Sequence, residues 1–151
     1  MADPRATLTI GGKRYDGWTS IGVVRSIETM TGSFELSIAA KEYTSAPRWP
    51  LRTGEPCTVQ LDGETVISGY IDGFGPQYDS GDYSITITGR DRSADLVDCS
   101  AIATPGSWTG QSIEAIAAEL AKPFGITVTA RADTGAKVRR FALQQGETVH
   151  A

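Results

Sequence analysis

The chain has 151 residues, of which 40% are hydrophobic and 21% are charged, as in an ordinary soluble globular protein of one or two small domains. Its formal net charge is −4, and residues 1–75 and 76–151 each carry 7 Lys+Arg against 9 Asp+Glu. This acidic balance disfavours specific nucleic-acid binding, which depends on cationic side chains, and no apolar run is long enough to predict membrane insertion.

The N-terminal residues are predicted to form β structure. Met1–Leu8 lacks the apolar h-region of a signal peptide, so we expect synthesis in the cytoplasm. Thr7–Ile10 is a short predicted strand, and Gly11–Gly12 suits a tight hairpin turn into Lys13–Tyr15. Ile21–Met30 is predicted to be a longer extended run.

Strict alternation marks the next strand. Within Ser33–Ala40, the apolar residues Phe34, Leu36 and Ile38 fall on one face and polar residues on the other, which predicts a strand with one face on a core. Tyr43–Glu55 contains prolines and a glycine and is predicted to be an irregular connection.

A hairpin is the strongest local signal in the chain. Cys57–Leu61 is a predicted strand, and Asp62–Gly63 suits a type I′ turn, which needs positive φ at both central positions. The return strand is predicted over Glu64–Phe74, a polar loop over Gly75–Asp82, and a further strand over Tyr83–Thr88.

These short strands and hairpin turns predict a mainly β protein. They fit a small β-barrel or a sandwich, and we predict a β-barrel domain over residues 1–100. Arg92–Asp98 is predicted to add one short helical turn that closes this domain. A linker is predicted over residues 101–110, since it contains Pro105–Gly106.

One clear helix is predicted in the remainder, over Ser112–Lys122. Its apolar residues recur at helical spacing, and Pro123 and Gly125 end it. Ile126–Thr129 and Val138–Leu143 are predicted strands, so residues 111–151 form part of an α/β module that lacks a closing element. We therefore expect either a fragment of a longer protein or a module that a partner completes.

Candidate metal and catalytic groups are sparse. Asp91, Asp95 and Asp98 have spacings that fit solvated carboxylates around a short helix better than a calcium loop. The single histidine, His150, lies in the C-terminal stretch with no partner at catalytic or zinc spacing. No cofactor motif is present, so we predict no enzyme activity and no cofactor, although a pair of catalytic carboxylates is not excluded.

The two cysteines and the aromatic residues have structural interpretations. Cys57 and Cys99 lie outside any CxxC and are interpreted as small buried or half-buried thiols, with a single bridge as the alternative. Core or subunit-interface packing is favoured over a sugar-binding platform for six aromatic residues: Trp18, Trp49, Trp108, Tyr15, Tyr43 and Tyr70.

Two further segments carry alternative functions. Lys137, Arg139 and Arg140 form a small basic patch, interpreted as a solvated strand face or as a partner for acidic neighbours in an assembly. Phe141–Val149 resembles the opening of a LysM repeat, in which a strand leads through a Gly-Glu-Thr turn to a helix. LysM modules bind peptidoglycan, so a peptidoglycan-binding module is the alternative function.

A series of short motifs, taken in order, resembles the Mu-like phage baseplate hub and tail protein family. The motifs are Tyr15–Ser20, Arg25–Glu28, Gly32–Leu36, Gly69–Asp72, Gly89–Ser93, Asp95–Ser100, Trp108 with the helix after it, Pro123–Ile126 and Gly146–Val149. The resemblance covers nearly the whole chain.

The resemblance implies a structural role in the virion tail. Family members form a homotrimeric ring in which each subunit gives two barrel-type tube domains, so that the ring matches the hexameric tail tube and holds the central spike on its other side. This chain would supply the first tube domain and part of an inserted module. We expect interface roles for Trp18, Tyr70 and Arg90.

Overall fold

The computed structural model describes residues 5–26, 28–39, 51–79 and 82–150. Contacts divide the chain into two compact units, Met1–Arg92 and Ser93–Ala151. This division falls earlier than the domain boundary at residue 100 that the sequence suggested. The short helical turn predicted near Asp98 is present, and it lies in the second unit.

The first unit is built on one antiparallel sheet of seven strands, in the order β2-β1-β5-β6-β7-β4-β3. The strands are β1 (Ala6–Ile10), β2 (Lys13–Tyr15), β3 (Ser20–Val24), β4 (Ser33–Ala39), β5 (Pro56–Leu61), β6 (Glu64–Asp79) and β7 (Asp82–Asp91). The mainly β class that the sequence predicted is therefore confirmed.

The sheet is open, whereas the sequence predicted a closed barrel. Among the described residues, no ladder joins the edge strands β2 and β3. Strand β2 ends after three residues at Tyr15, and the chain then turns through Gly17, whose φ of 81° is a left-handed conformation. The seam between β2 and β3 thus stays unpaired in this part of the chain.

Alternation along the strands builds a single core for this unit. Residues from β1 and β4, which lie far apart in the strand order, belong to one buried cluster, so the sheet curves around it. The cluster consists of Ala6, Leu8, Ile10, Phe34, Leu36, Leu51, Cys57, Val59, Ile67, Ile71 and Ile87. The inward face predicted for β4 is confirmed, because Phe34, Leu36 and Ile38 are all buried.

The predicted hairpins are present, but one strand pair is longer than expected. Asp62 and Gly63 have φ values of 49° and 89°, as a type I′ turn requires. The predicted loop over Gly75–Asp82 is wrong, since β6 continues to Asp79 and β7 starts at Asp82. The register shifts between Ile71 and Gly73, which allows β6 to continue past its glycines as a bulged strand.

Two other predictions differ from the structure or fall outside it. The extended run predicted over Ile21–Met30 is shorter and ends at Val24. The irregular connection predicted over Tyr43–Glu55 lies largely outside the described residues, as do Tyr43 and Trp49. Its last residues are described, and Leu51 there is buried in the core.

The second unit contains two short helices and one small strand pair. Helix α1 spans Ala94–Asp98, strand β8 Ser107–Trp108, helix α2 Ile113–Ala121 with a 3-10 turn over Lys122–Phe124, and strand β9 Phe141–Ala142. The predicted helix is confirmed, and Gly125 ends it with a φ of 67°. No helix in the described ranges is long and apolar enough to cross a bilayer.

The remaining predictions for this unit are only partly correct. Ile126–Thr129 does not form the predicted strand. Of the strand predicted over Val138–Leu143, only Phe141–Ala142 pairs with β8, while Val138 forms an isolated bridge with Gln111. The predicted linker at 101–110 includes β8, whose Trp108 is 5% exposed and packs with Ile116 and Leu120.

Candidate assembly surface

Two of the motifs that carry the family resemblance, Gly69–Asp72 and Gly89–Ser93, lie side by side. Antiparallel pairing of β6 and β7 sets Gly69 opposite Asp91, Tyr70 opposite Arg90 and Ile71 opposite Gly89. Tyr70 and Arg90, two of the predicted interface residues, are therefore neighbours across one ladder. Their side chains lie on the face opposite to the buried Ile71, because side chains alternate along a strand.

Both glycines in this ladder allow unusually close packing. A Cβ placed on Gly69 would lie 1.9 Å from the Arg90 carbonyl oxygen, and one on Gly89 would lie 2.4 Å from the Tyr70 carbonyl oxygen. The Phe34 ring occupies the remaining space above Gly89, with two ring carbons 2.5 Å from that same Cβ position. Only glycine fits these two positions without displacing backbone or core.

Arg90 is held by Asp72 at the end of the other motif. The Arg90 Nε donates a hydrogen bond of 2.7 Å to Asp72 Oδ2, and the Arg90 Nη2 lies 3.5 Å from Oδ1. Both side chains are 39% exposed, so this ion pair contributes only about 0–1 kcal/mol to stability. Its main effect is to orient the guanidinium on the outer face.

Asp91 has a structural role that the sequence did not reveal. Its Oδ2 accepts a hydrogen bond of 2.8 Å from the Gly32 N–H, while its own N–H donates to the Gly32 carbonyl oxygen at 2.9 Å. Arg92 N–H in turn donates to the Ser68 carbonyl oxygen. The expectation of a solvated carboxylate is wrong for Asp91, which ties the end of β7 to the turn before β4.

A shallow groove lies beside Arg90 on the outer face. Its volume is about 440 Å³, and its lining includes Arg90, Asp72, Thr88 and Val24. Val24 is an apolar side chain on the edge strand β3 and is 61% exposed. An exposed edge, an oriented arginine and an exposed valine are features typical of a protein contact surface.

Trp18, the third predicted interface residue, lies in a different groove. It follows β2, is half-buried and packs against the core cluster. The groove has a volume of about 840 Å³ and is also lined by Ala6, Thr7, Ile21 and Asp62. The structure thus brings Tyr70 and Arg90 together and places Trp18 near the unpaired seam between β2 and β3.

Both cysteines are free thiols, and they differ in accessibility. Cys57 is buried in the core of the first unit, and Cys99 is exposed. Burial, helped by the negative charge of Asp72, raises the pKa of the Cys57 thiol to about 11.

We expect an alkylating reagent at pH 8 to modify Cys99 and spare Cys57, which is both buried and un-ionised there. Mass spectrometry of the native protein should show one label, and of the denatured protein two. Because the pKa of Cys57 rises from 9.0 to about 11 on folding, the stability that its neutral thiol contributes is fully present below pH 9.0 and is lost as the pH rises through about 11. Rapid labelling of Cys57 in the native protein would contradict its buried position.

The described residues bring together no metal site. No group of three or more His, Cys, Asp or Glu side chains in these ranges is placed to hold a metal ion. His150 is exposed, and its backbone N–H donates to the Leu96 carbonyl oxygen. Near it, the Glu147 carboxylate accepts from the Gln144 N–H at 2.7 Å, which closes a turn in the segment that resembles LysM.

Comparisons with known proteins match both units. Residues 5–91 match the family described as Mu phage baseplate assembly protein GpP-like, N-terminal. Residues 93–151 match the family described as baseplate hub protein gp44-like, second domain. Because this second match includes Phe141–Val149, the comparisons give no support to the peptidoglycan-binding alternative.

Individual relatives are also baseplate or tail proteins of phages and prophages or share their fold. Baseplate hub protein gp44 of Escherichia phage Mu is 37% identical over 147 residues, which is 95% of this chain and 38% of that protein. The 43 kDa tail protein of prophage MuSo2 from Shewanella oneidensis is 40% identical, with a TM-score of 0.87 over 99% of this chain and 48% of its own length. A tail protein from Neisseria meningitidis MC58, at 24% identity and a TM-score of 0.79 over 98% of this chain and 43% of its own, shares the fold.

The chain spans less than half the length of each of these relatives. The relatives are named as a baseplate hub protein and tail proteins. Two family matches and 37% identity to the Mu protein show that this chain belongs to the Mu-like phage baseplate hub protein family.

Proposed function

We propose that this chain is the first part of a hub subunit that forms a homotrimeric ring between the tail tube and the central spike. The observation that carries the proposal is 37% identity to the Mu baseplate hub protein over 95% of the chain. The open sheet supports it, because its edge strands β2 and β3 have no outer partner among the described residues, and an unpaired edge can extend into a neighbouring subunit.

The β3 edge is well suited to such pairing. Ser20–Val24 contains neither proline nor a charged side chain, the two devices that usually protect a free edge. The opposite edge, β2, is short and carries Lys13 and Arg14. Because the two edges differ, contact between them is head-to-tail, and a head-to-tail contact can close into a ring.

The three predicted interface residues have distinct roles in this proposal. Arg90, oriented by Asp72, offers donors on the outer face, and Tyr70 offers an amphipathic ring beside it. Trp18 packs against the core cluster beside the seam between β2 and β3, and its exposed part adds apolar surface next to these edge strands. Partners in the tail tube and the spike would contact these surfaces.

The self-association test uses light scattering across a range of concentrations. We expect the chain to form trimers or larger species, and Val24→Lys to weaken this association at least tenfold by placing a charge on the β3 edge. Ile102→Lys makes the same chemical change at a 72% exposed position in the second unit and should have no effect. Arg90→Gln should weaken association less than Val24→Lys does.

Two outcomes would overturn the proposal. One is a monomer at all concentrations that co-sediments with peptidoglycan sacculi, which would restore the LysM alternative. The other is equal loss of association in the Val24 and Ile102 variants, which would show non-specific aggregation rather than edge pairing.

A further inference from the structure

A basic surface interrupts the otherwise acidic second unit. Residues 131–140 carry four cationic side chains and one anionic one, while the rest of 93–151 carries one lysine and five carboxylates. Lys137, Arg139 and Arg140 stand almost consecutively in this segment, and all three are exposed. A chain of net charge −4 therefore concentrates positive charge at one site.

The backbone holds this segment in a fixed position. Val138 N–H donates to the Gln111 carbonyl oxygen at 2.8 Å, and the Val138 carbonyl oxygen accepts from the Gly110 N–H at 2.9 Å. Phe141 then pairs with Trp108 in the β8–β9 ladder. Hydrogen bonds therefore hold the backbone at Val138 and at Phe141, on either side of Arg139 and Arg140, and less backbone entropy is lost when these arginines bind a partner.

The three cations have no intramolecular partner within the described residues. Neither an ion pair nor a side-chain hydrogen bond joins Lys137, Arg139 or Arg140 to another described side chain. The half-buried Val138 packs against the small core of this unit, whereas Lys137, Arg139 and Arg140 are all exposed. The positive charges of these three side chains repel one another, and no described side chain compensates them.

An exposed aromatic ring borders the cations. Phe141 follows Arg140 directly and remains 39% exposed, although its ring centroid lies 5.7 Å from that of Trp108. Arginine beside a supported aromatic ring is the composition enriched at the centres of protein interfaces. We name the surface formed by Lys137, Arg139, Arg140 and Phe141 the basic strip.

We propose that the basic strip is a docking surface for an acidic protein, bound through carboxylates on the arginines and apolar contact with Phe141. Carboxylates suit the planar guanidinium groups because both can form paired hydrogen bonds. A nucleic-acid partner is disfavoured, since three cations neutralise few phosphates and the chain as a whole carries a net charge of −4. The inference rests on the proposed function in one respect: the acidic partner is taken to be another component of the tail.

The test measures binding of fluorescent poly-L-glutamate to the 151-residue chain by anisotropy at low salt. We expect Lys137→Gln, Arg139→Gln and Arg140→Gln together to weaken binding at least tenfold. A matched variant with Arg52→Gln, Arg92→Gln and Lys122→Gln removes the same charge from exposed positions elsewhere and should bind within about twofold of the parent chain. Circular dichroism should show that both variants remain folded.

Duplex DNA is the second probe. Stronger binding of DNA than of polyglutamate, abolished by the basic-strip variant, would overturn the inference in favour of a nucleic-acid surface. So would undetectable binding of polyglutamate, or equal loss in the matched variant. If polyglutamate fails to bind while the chain still self-associates, the docking surface is refuted and the proposed ring is not. If polyglutamate binds and the chain stays monomeric, the proposed ring is refuted and the docking surface is not.

Discussion

Replacing Gly69 by alanine is expected to destabilise the first unit by about 3 kcal/mol or more, because the new Cβ would lie 1.9 Å from the Arg90 carbonyl oxygen. That contact is with backbone, so no side-chain rotation can relieve it, and β6 and β7 would have to separate. Domains of this kind have total stabilities of about 5–15 kcal/mol, so the loss is a large fraction. Urea denaturation followed by circular dichroism measures it.

Gly75 supplies the matched control in the same strand. A Cβ there meets nothing within 4 Å, so Gly75→Ala should leave the free energy of unfolding nearly unchanged. Gly89→Ala should resemble Gly69→Ala, because its Cβ would meet both the Tyr70 carbonyl oxygen and the Phe34 ring. Equal midpoints for the Gly69 and Gly75 variants would show that the two motifs are not closely packed.

Replacing Trp108 by alanine is expected to unfold the second unit while the first stays folded. Among the described residues, the buried cluster of this unit consists of Trp108, Ile116 and Leu120, so removing its largest member costs about 3–5 kcal/mol. The change also removes the 2.7 Å hydrogen bond from Trp108 Nε1 to Glu119. Limited proteolysis should cleave within residues 93–150 first and leave a resistant N-terminal fragment.

Two variants separate the contributions of this residue. Trp108→Phe keeps an apolar ring but loses the bond to Glu119, and should cost about 1–3 kcal/mol. Phe141→Ala removes a half-exposed ring from the Trp108–Phe141 pair and should also lower the free energy of unfolding by about 1–3 kcal/mol. If Trp108→Ala left the second unit as protease-resistant as before, Trp108 would not be its central packing residue.

Local patterns predicted the strands whose two faces differ most. In β4, Phe34, Leu36 and Ile38 alternate with polar residues, and one face is buried as expected. The Asp62–Gly63 turn was also predictable, since few residue pairs tolerate positive φ at both positions. Such elements depend on neighbouring residues alone.

Other features depend on contacts between distant residues and gave no local signal. Gly75 and Pro76 predict a loop, yet the long pairing with β7 keeps them in a strand. Trp108 follows a Pro-Gly pair typical of a linker, but its burial comes from α2 and from the pairing of β8 with β9. Ile126–Thr129 has the composition of a strand but finds no pairing partner among the described residues.

The candidate surface was predictable in part. The motif order located Tyr70 and Arg90, and the structure makes them neighbours. The sequence did not indicate the partners that set their geometry, namely Asp72 on Arg90 and Gly32 on Asp91, because those contacts cross 18 and 59 residues of chain. Only a recurring glycine in both motifs hinted that the two strands approach closely.

The way β7 ends determines how the chain would bear mechanical load. A pull on the second unit along the polypeptide acts on Asp91 and Arg92, where β7 stops. That strand lies between β6 and β4, so it can leave the sheet only if the hydrogen bonds on both sides are sheared together. The bonds of Asp91 to Gly32 and of Arg92 to Ser68 lie at the point where the load enters. A load that enters at the end of β7 is therefore resisted by the hydrogen bonds to both neighbouring strands together.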